Sequence, residues 1–273
     1  MLKIGWFTTA RGMGSQGLFR TAQEAISQGE LDARIEFVFC SRETGEGKIT
    51  DTFFEMVESQ NIPLHTFSLK KFKAARQAAT TNPQNALPAW RFDYDLEIIS
   101  LLQDYSINIG ILAGYMLVAG PELCAHYNLI NLHPATPWGP TGTWQEVIWQ
   151  LIDARAAQSG VMMHLAIPEL DQGPPATYCT FPICGPVFDP FWVQIQGKSV
   201  AEIKNTKGEG NQLFRTIREH GVARELPLVV ATIRAFSHGN VAINDAKQVI
   251  DRAGNVIAGY DLTTEIDKLI ESR

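Results

Sequence analysis

Short apolar runs alternate with longer stretches of helical periodicity along the first two thirds of the chain. Residues 2–8 are apolar and extended in character, and the glycine-rich segment Thr9-Ala-Arg-Gly-Met-Gly-Ser-Gln-Gly17 follows. A helical pattern over residues 15–28 then stops at Gly29. Residues 34–41, with Ile35, Phe37, Val38 and Phe39, predict a second strand. A helix over 49–60 and a strand over 64–67 repeat the rhythm, with Asn61-Ile-Pro63 between them. The basic cluster Lys70, Lys71, Lys73 and Arg76 leads into a polar insert, residues 78–88 of the wider segment 70–88. It reads as a solvated loop or short helix, with a lid over an anionic substrate as the alternative. Next come a helix over 91–105, a buried strand over 107–114, a short helix over 121–127 and a strand starting at Leu129. A helix over 143–158 buries Val147, Ile148, Leu151 and Ile152. This alternation predicts an α/β fold with a mostly parallel central sheet flanked by helices.

Farther on, strands are expected from Val161 and over 176–183. Residues 185–210 are irregular, and Pro186-Val-Phe-Asp-Pro-Phe-Trp192 within them could pack on the core or cover the site. A long helix follows, broken near Gly221 and Pro227 and ending near His238. The last segment predicts a hairpin of 247–250 with 255–259 around 251–254, then an amphipathic helix over 263–272. We therefore expect a core over residues 1–239 and a C-terminal hairpin and helix extension, 240–273, packed on it.

The candidate chemistry lies in three stretches. Asn131 and His133 are two apart on a strand that Pro134 terminates, so both project from one face. In open α/β sheets the carboxyl ends of the strands are where ligands bind. An amide donor beside an imidazole suits a reaction with a developing oxyanion and a mobile proton, although the same pair also occurs as a polar strand end. Asp171, in the loop Asp171-Gln-Gly-Pro174, supplies a carboxylate that could join them or serve only the turn. Gly12, Gly14, Ser15 and Gln16 open a helix after a strand, which concentrates backbone N–H groups at one point and suits an anion. The alternative is a plain βα turn. His164 reads first as an interior histidine and second as a neighbour of the trio. Trp144 and Trp149 would flank the cleft.

Composition narrows the class. The chain has 273 residues and a net charge of −6, so a broad nucleic-acid surface is not expected. No run approaches the roughly 18 apolar residues of a membrane span. Cys40, Cys124, Cys179 and Cys184 lack C-x-x-C spacing and read as reduced thiols of a cytoplasmic protein. No residue cluster has metal-ligand spacing.

Asn131-Leu-His-Pro134, the Pro/Gly loop after it, and His164 seven residues before Asp171-Gln-Gly-Pro174 together resemble the folate-dependent formyltransferases, most nearly the glycinamide ribonucleotide branch. The likeness runs from Met1 to about Leu170, resumes beyond Gly173 and weakens toward Asn244. It implies a Rossmann-like formyltransferase fold with 10-formyltetrahydrofolate as formyl donor, no metal, and Asn131, His133 and Asp171 as the catalytic trio. In this reading Asp171 raises the pKa of a protonated His133. The glycine-rich turn would bind the acceptor's phosphate, with Gln16 where the family usually has Asn. Met116, Leu117, Val118, Leu170 and Gln172 would contact folate, although Leu117 replaces a customary Arg. Val222 stands where an acceptor-contacting Glu is expected, and Glu219, one turn away, is the nearest substitute.

The acceptor implied is a small phosphorylated primary amine, most nearly glycinamide ribonucleotide of purine biosynthesis. No nucleic acid or membrane partner is expected, and a homodimer is compatible. The related methionyl-tRNA formyltransferases carry a basic C-terminal domain, whereas residues 189–273 hold eleven Lys/Arg and eleven Asp/Glu. Amino sugar nucleotides remain alternative acceptors. Formyl-folate hydrolysis is a rival activity, disfavoured because the resembling hydrolases carry a regulatory domain ahead of a core that here starts at Leu2. The non-enzymatic rival is a nucleotide- or folate-binding module.

Overall fold

The computed structural model describes residues 1–76 and 90–272. The insert expected at 78–88 lies outside the described residues. In chain order the elements are β1 (Leu2–Thr8), α1 (Met13–Ser27), β2 (Ala33–Cys40), α2 (Lys48–Ser59), β3 (Leu64–Thr66), α3 (Leu69–Ala75), α4 (Trp90–Leu101), β4 (Ile109–Leu112), α5 (Pro121–His126), β5 (Leu129–His133) and α6 (Trp144–Asp153). They continue with β6 (Gln158–Leu165), β7 (Pro175–Pro182), α7 (Asp189–Gln194), α8 (Val200–Thr206), α9 (Gln212–Ser237), β8 (Val241–Ile243), β9 (Val249–Asp251), β10 (Tyr260–Asp261) and α10 (Thr263–Glu271).

The central sheet runs β10-β7-β6-β5-β4-β1-β2-β3. Pairing is parallel except at β6, which is antiparallel to both β5 and β7, so the sheet is mostly parallel as expected. Because successive strand residues face opposite sides, Trp6 and Phe7 enter different cores. Ile4, Trp6, Ile109 and Ile111 pack under α1, α2 and α9, while Phe7, Phe39, Leu112 and Leu129 pack under α4 and α5. Ile35 and Phe37 are also two apart, yet they face opposite cores. The cause is a bulge at Glu36, where the β1–β2 register steps from Ile4↔Ile35 to Gly5↔Phe37. A third apolar cluster joins α6, α7, α8 and the start of α9 to the end of β7.

Four expectations need correction. The long helix is unbroken: α9 carries Gly221 and Pro227 inside it. Pro227 forfeits one N–H bond, at about 3 kcal/mol. Leu228, Val229, Ala231 and Ile233 are buried beyond it, and full burial of a large aliphatic side chain contributes roughly 1.5–3 kcal/mol, so packing outweighs the break. The irregular 185–210 segment contains α7 and α8 and a 3₁₀ turn at Gly208–Gly210. Its overlooked signal is a capping box, Ser199 with Glu202, in which Ser199 Oγ accepts Glu202 N–H at 3.3 Å and Glu202 accepts Ser199 N–H at 2.6 Å.

The hairpin forms one segment earlier than expected, between β8 and β9, and only a bridge between Ile250 and Val256 remains of the anticipated pair. Asp251 still closes a turn, accepting N–H bonds from Ala253 and Asn255 at 2.9 Å each. Finally, α6 ends at Asp153 and β6 already begins at Gln158, where a continuing helix was expected. Among the described residues no helix is long and apolar enough to cross a membrane.

Ser199→Ala should remove the cap of α8 and lower stability by about 1 kcal/mol. Urea titration should show a lower midpoint with an unchanged slope; an unchanged midpoint would mean that the capping box contributes nothing.

Candidate active site

A cleft of about 760 Å³ opens over the carboxyl ends of β1, β4 and β5. Asn131 and His133, on one face of β5, form part of its floor. The reversed strand β6 sets His164 directly opposite Asn131 in the antiparallel register. The chain then folds back through a tight loop in which Asp171 adopts φ 56°, a left-handed conformation that Asp tolerates better than most residues. The Gly173 position makes this return feasible: a Cβ there would stand 1.6 Å from the Leu165 carbonyl oxygen.

The trio is therefore assembled, and His164 belongs with it. Asn131 Nδ2 donates to His164 Nε2 at 3.1 Å and leans on Asp171 Oδ1 at 3.5 Å. Asp171 Oδ2 lies 3.6 Å from His133 Nδ1 and accepts the Gly142 N–H at 3.3 Å, while Oδ1 lies 3.7 Å from His164 Nε2. Carbonyl oxygens only accept, which assigns the imidazole protons. His133 Nε2–H donates to the Pro140 carbonyl at 2.9 Å, and His164 Nδ1–H to the Leu165 carbonyl at 3.1 Å. The nitrogens facing Asp171 are thus lone-pair positions whenever the rings are neutral.

Burial works to raise the Asp171 pKa, but the facing His164, the attraction of His133 whenever it carries a proton, and the Gly142 N–H prevail and hold it below the ordinary carboxylate value. For His133 burial prevails over the Pro140 carbonyl and the Asp171 charge, and its pKa falls below the ordinary imidazole value. This corrects the expected protonated His133: the structure favours a neutral imidazole beside an ionised carboxylate.

The other expected residues divide. Gly12, Gly14 and Ser15 line the cleft together with Arg11, and Gly12 at the N-cap of α1 brings no capping side chain to compete for the first-turn N–H groups. Gln16 does not line it: its side chain is buried and donates to the Ile49 carbonyl at 2.9 Å. Met116, Leu117, Val118 and Leu170 form an apolar wall, whereas Gln172 is exposed and outside the lining. The wall is pinned where Met116 N–H donates to Thr9 Oγ1 at 2.9 Å.

Trp144 lines the cleft, while Trp149 is buried in the third apolar cluster. Glu219 is outside the lining, with its side chain 67% exposed, and Val222 is also exposed. The carboxylate that α9 does deliver is Glu225. It is ion-paired to Arg218 at 2.5 Å, and the Arg218 guanidinium lies 4.6 Å from the Trp144 ring centre. Residues 218, 222 and 225 share one helix face at i, i+4 and i+7, but Glu219 is equally three residues from Val222, so the spacing alone did not choose between the two carboxylates. Among the described residues, no group of three or more His, Cys, Asp or Glu side chains is arranged to hold a metal.

Comparison with known proteins bears on the family and the fold. Residues 12–184 match the family described as formyl transferase. The chain is 28% identical over 119 residues to phosphoribosylglycinamide formyltransferase of Escherichia coli (strain K12), a match covering 43% of this chain and 55% of that relative, about half its length. The phosphoribosylglycinamide formyltransferase structure of Coxiella burnetii shares the fold at TM-score 0.64 and 19% identity, over 95% of this chain and 98% of that one. A formyltetrahydrofolate deformylase of Pseudomonas syringae pv. tomato str. DC3000 does so at TM-score 0.59 and 16% identity, over 92% of this chain and 65% of that one. At such identities the structural likeness speaks for the fold alone. The family match spans well over half of the chain, and the protein belongs to the formyl transferase family.

Proposed function

We propose that this protein transfers the formyl group of 10-formyltetrahydrofolate to a small phosphorylated primary amine, with glycinamide ribonucleotide as the acceptor. One observation carries this reading: Asn131, His133 and Asp171 converge at the floor of a cleft whose two walls differ in chemistry. The apolar wall at Met116, Leu117, Val118 and Leu170 suits the folate ring system. The turn at Gly12, Gly14 and Ser15, with Arg11, suits a phosphate. Glu225, held by Arg218, supplies a carboxylate for the hydroxyl or amino groups between phosphate and reacting nitrogen. Family membership and the curated relative's named substrate support the same assignment.

The amine nitrogen attacks the formyl carbon and forms a C–N bond, and the carbonyl pair moves to oxygen. Asn131 can surrender its long contact with Asp171 and donate to that oxyanion; such a donor typically contributes roughly 3–4 kcal/mol. The ammonium proton passes to neutral His133, and ionised Asp171 stabilises the imidazolium so formed. Collapse of the intermediate breaks the bond to the folate nitrogen, which takes the proton back. Tetrahydrofolate and the N-formyl product result.

The deformylase likeness motivates a second reading, in which water replaces the amine and formate is released. Incubating the protein with formyl-folate alone, with glycinamide ribonucleotide, and with amino sugar nucleotides separates the two. Folate absorbance reports turnover, and acceptor mass reports transfer. Formate release independent of any amine would overturn the transferase assignment.

His133→Ala and Asp171→Asn should each lower kcat by about 10²- to 10⁴-fold, the usual contribution of a positioned acid–base group. Thermal melting of Asp171→Asn, which preserves shape, should shift far less than activity; surviving turnover with a lost melting transition would make the pair structural. Because the His133 pKa is lowered, its basic form predominates at neutral pH and is lost only on acidification. The acid limb of kcat should therefore bend below the ordinary imidazole value of 6.5. A bend above that value would contradict the neutral-base assignment.

The acceptor half is tested separately. Ser15→Ala and Glu225→Gln should raise the acceptor KM by about tenfold, the effect of losing one charge-assisted contact, and leave the formyl-folate KM within about twofold. Equal rises for both substrates would remove the division of the cleft.

A further inference from the structure

Arg91 and Asp95 form an ion pair buried between α4 and α5, 2% and 0% exposed, with Nη2 3.0 Å from Oδ1. Arg91 Nη2 also reaches the Tyr115 hydroxyl at 3.4 Å. On its far side Asp95 lies against the backbone at the N-cap of α5. A Cβ at Gly120 would stand 2.2 Å from Asp95 Oδ2, so glycine is what lets the carboxylate approach. The Gly120 and Leu123 N–H groups act on this carboxylate, although neither of its oxygens has a donor in full hydrogen-bond geometry. Arg91 Nε and Nη1 are likewise without partners among the described residues.

An under-satisfied buried pair is weak support for stability, because desolvation offsets most of the attraction. Its placement is more informative. Tyr115 and Gly120 are the two ends of the loop whose middle, Met116, Leu117 and Val118, is the cleft's apolar wall. One arm of the pair touches each end.

We propose that Arg91 and Asp95 are positioning residues, a buried clamp that holds both ends of the 115–120 loop and so sets the shape of the wall against which folate lies. This rests on the assignment of that wall to folate made above.

The clamp has a consequence for pH. Burial lifts the Asp95 carboxyl to about 6, against the opposing pull of Arg91 and of the Gly120 and Leu123 N–H groups. A value raised above that of the unfolded chain means that the native state binds the proton more tightly, so acidification does not weaken the fold through this group. It does remove the charge by which Asp95 holds Arg91 and Gly120. The groups facing Asp95 are Arg91 and Tyr94 from α4, Tyr115 from the loop, and Glu122 and Cys124 from α5. Burial pushes Tyr115 and Cys124 up to about 12 and Tyr94 higher still, so none of these three titrates near neutrality. Glu122 is exposed, and it is unchanged in the variants below.

Asp95→Asn keeps the shape and removes the charge. In the unmodified protein the formyl-folate KM should rise about tenfold between about pH 7.5 and pH 5. In Asp95→Asn it should already be raised at the upper pH and stay flat, with kcat close to the parent's at each pH. Because Arg91 then lacks its counter-ion, melting temperature should fall, and KM is read where both proteins are folded. Gly120→Ala should raise the same KM by displacing the carboxylate without altering any charge. An Asp95→Asn KM that tracks the parent at every pH, with Gly120→Ala also unaffected, would overturn the clamp. Met116→Glu, on the exposed wall, separates the two levels. A folate KM that responds to Met116→Glu but to neither clamp variant sinks the clamp alone; one indifferent to Met116→Glu sinks the wall assignment and the clamp with it.

Discussion

Asp171 has to stay ionised in a place where burial opposes ionisation, and the catalytic end of the molecule is arranged around that requirement. Its side chain is 7% exposed, so water does little to stabilise the charge. The Gly142 N–H, from the loop after β5, and the Asn131 amide, from β5 itself, replace the water, and the imidazoles of β5 and the reversed strand β6 add their attraction only when protonated. The Pro/Gly-rich course of residues 134–142 fits this demand, since it brings a backbone N–H and the Pro140 carbonyl toward opposite sides of the same site. The left-handed backbone at Asp171 is the local strain that this geometry accepts.

The chain is acidic overall, and the cleft lining itself sets Arg11 and Arg218 against Glu146, Asp171 and Glu225. Arg218 is paired with Glu225, which leaves Arg11 as the cation beside the glycine-rich turn. At such short range a single cation acts on a ligand far more than distant surface charges, which salt screens beyond about 10 Å. Helix α9 links the Arg218–Glu225 pair to the rest of the fold. One face carries Arg218 and Glu225 into the cleft, another packs on β6 and β7, and Arg224 and Arg234 pair with Asp267 and Glu265 of α10. Uninterrupted passage through Pro227 is what allows one element to serve all three.

The alternation of apolar runs and amphipathic stretches made the parallel sheet legible, and the Asn131/His133 spacing together with Pro134 made the strand-end site legible. Side-chain engagement was not. Gln16 could be placed beside the glycine-rich turn from its position, but its turn inward to the Ile49 carbonyl depends on where α2 packs. Glu219 and Glu225 are equally plausible on a helix of unknown rotation; only docking of α9 against the sheet selects Glu225. The lowered His133 pKa likewise follows from desolvation, a property of the assembled cleft rather than of local residue order. By contrast, the Ser199–Glu202 box was present in the spacing and was overlooked because its helix is short.

The two margins of the sheet have a consequence of their own. β3, at one side, is three residues long, and β10, at the other, is two. Open margins attract other extended chains, because unpaired N–H and C=O groups template further strands. Without β10, the eight-residue β7 would present such a template over its whole length. The segment that returns from the small hairpin to α10 thus occupies part of that row with its own backbone, and the Thr263 hydroxyl accepts the Thr180 N–H at 3.0 Å just beyond it. Continuation of the sheet into a neighbouring molecule is thereby discouraged on both sides.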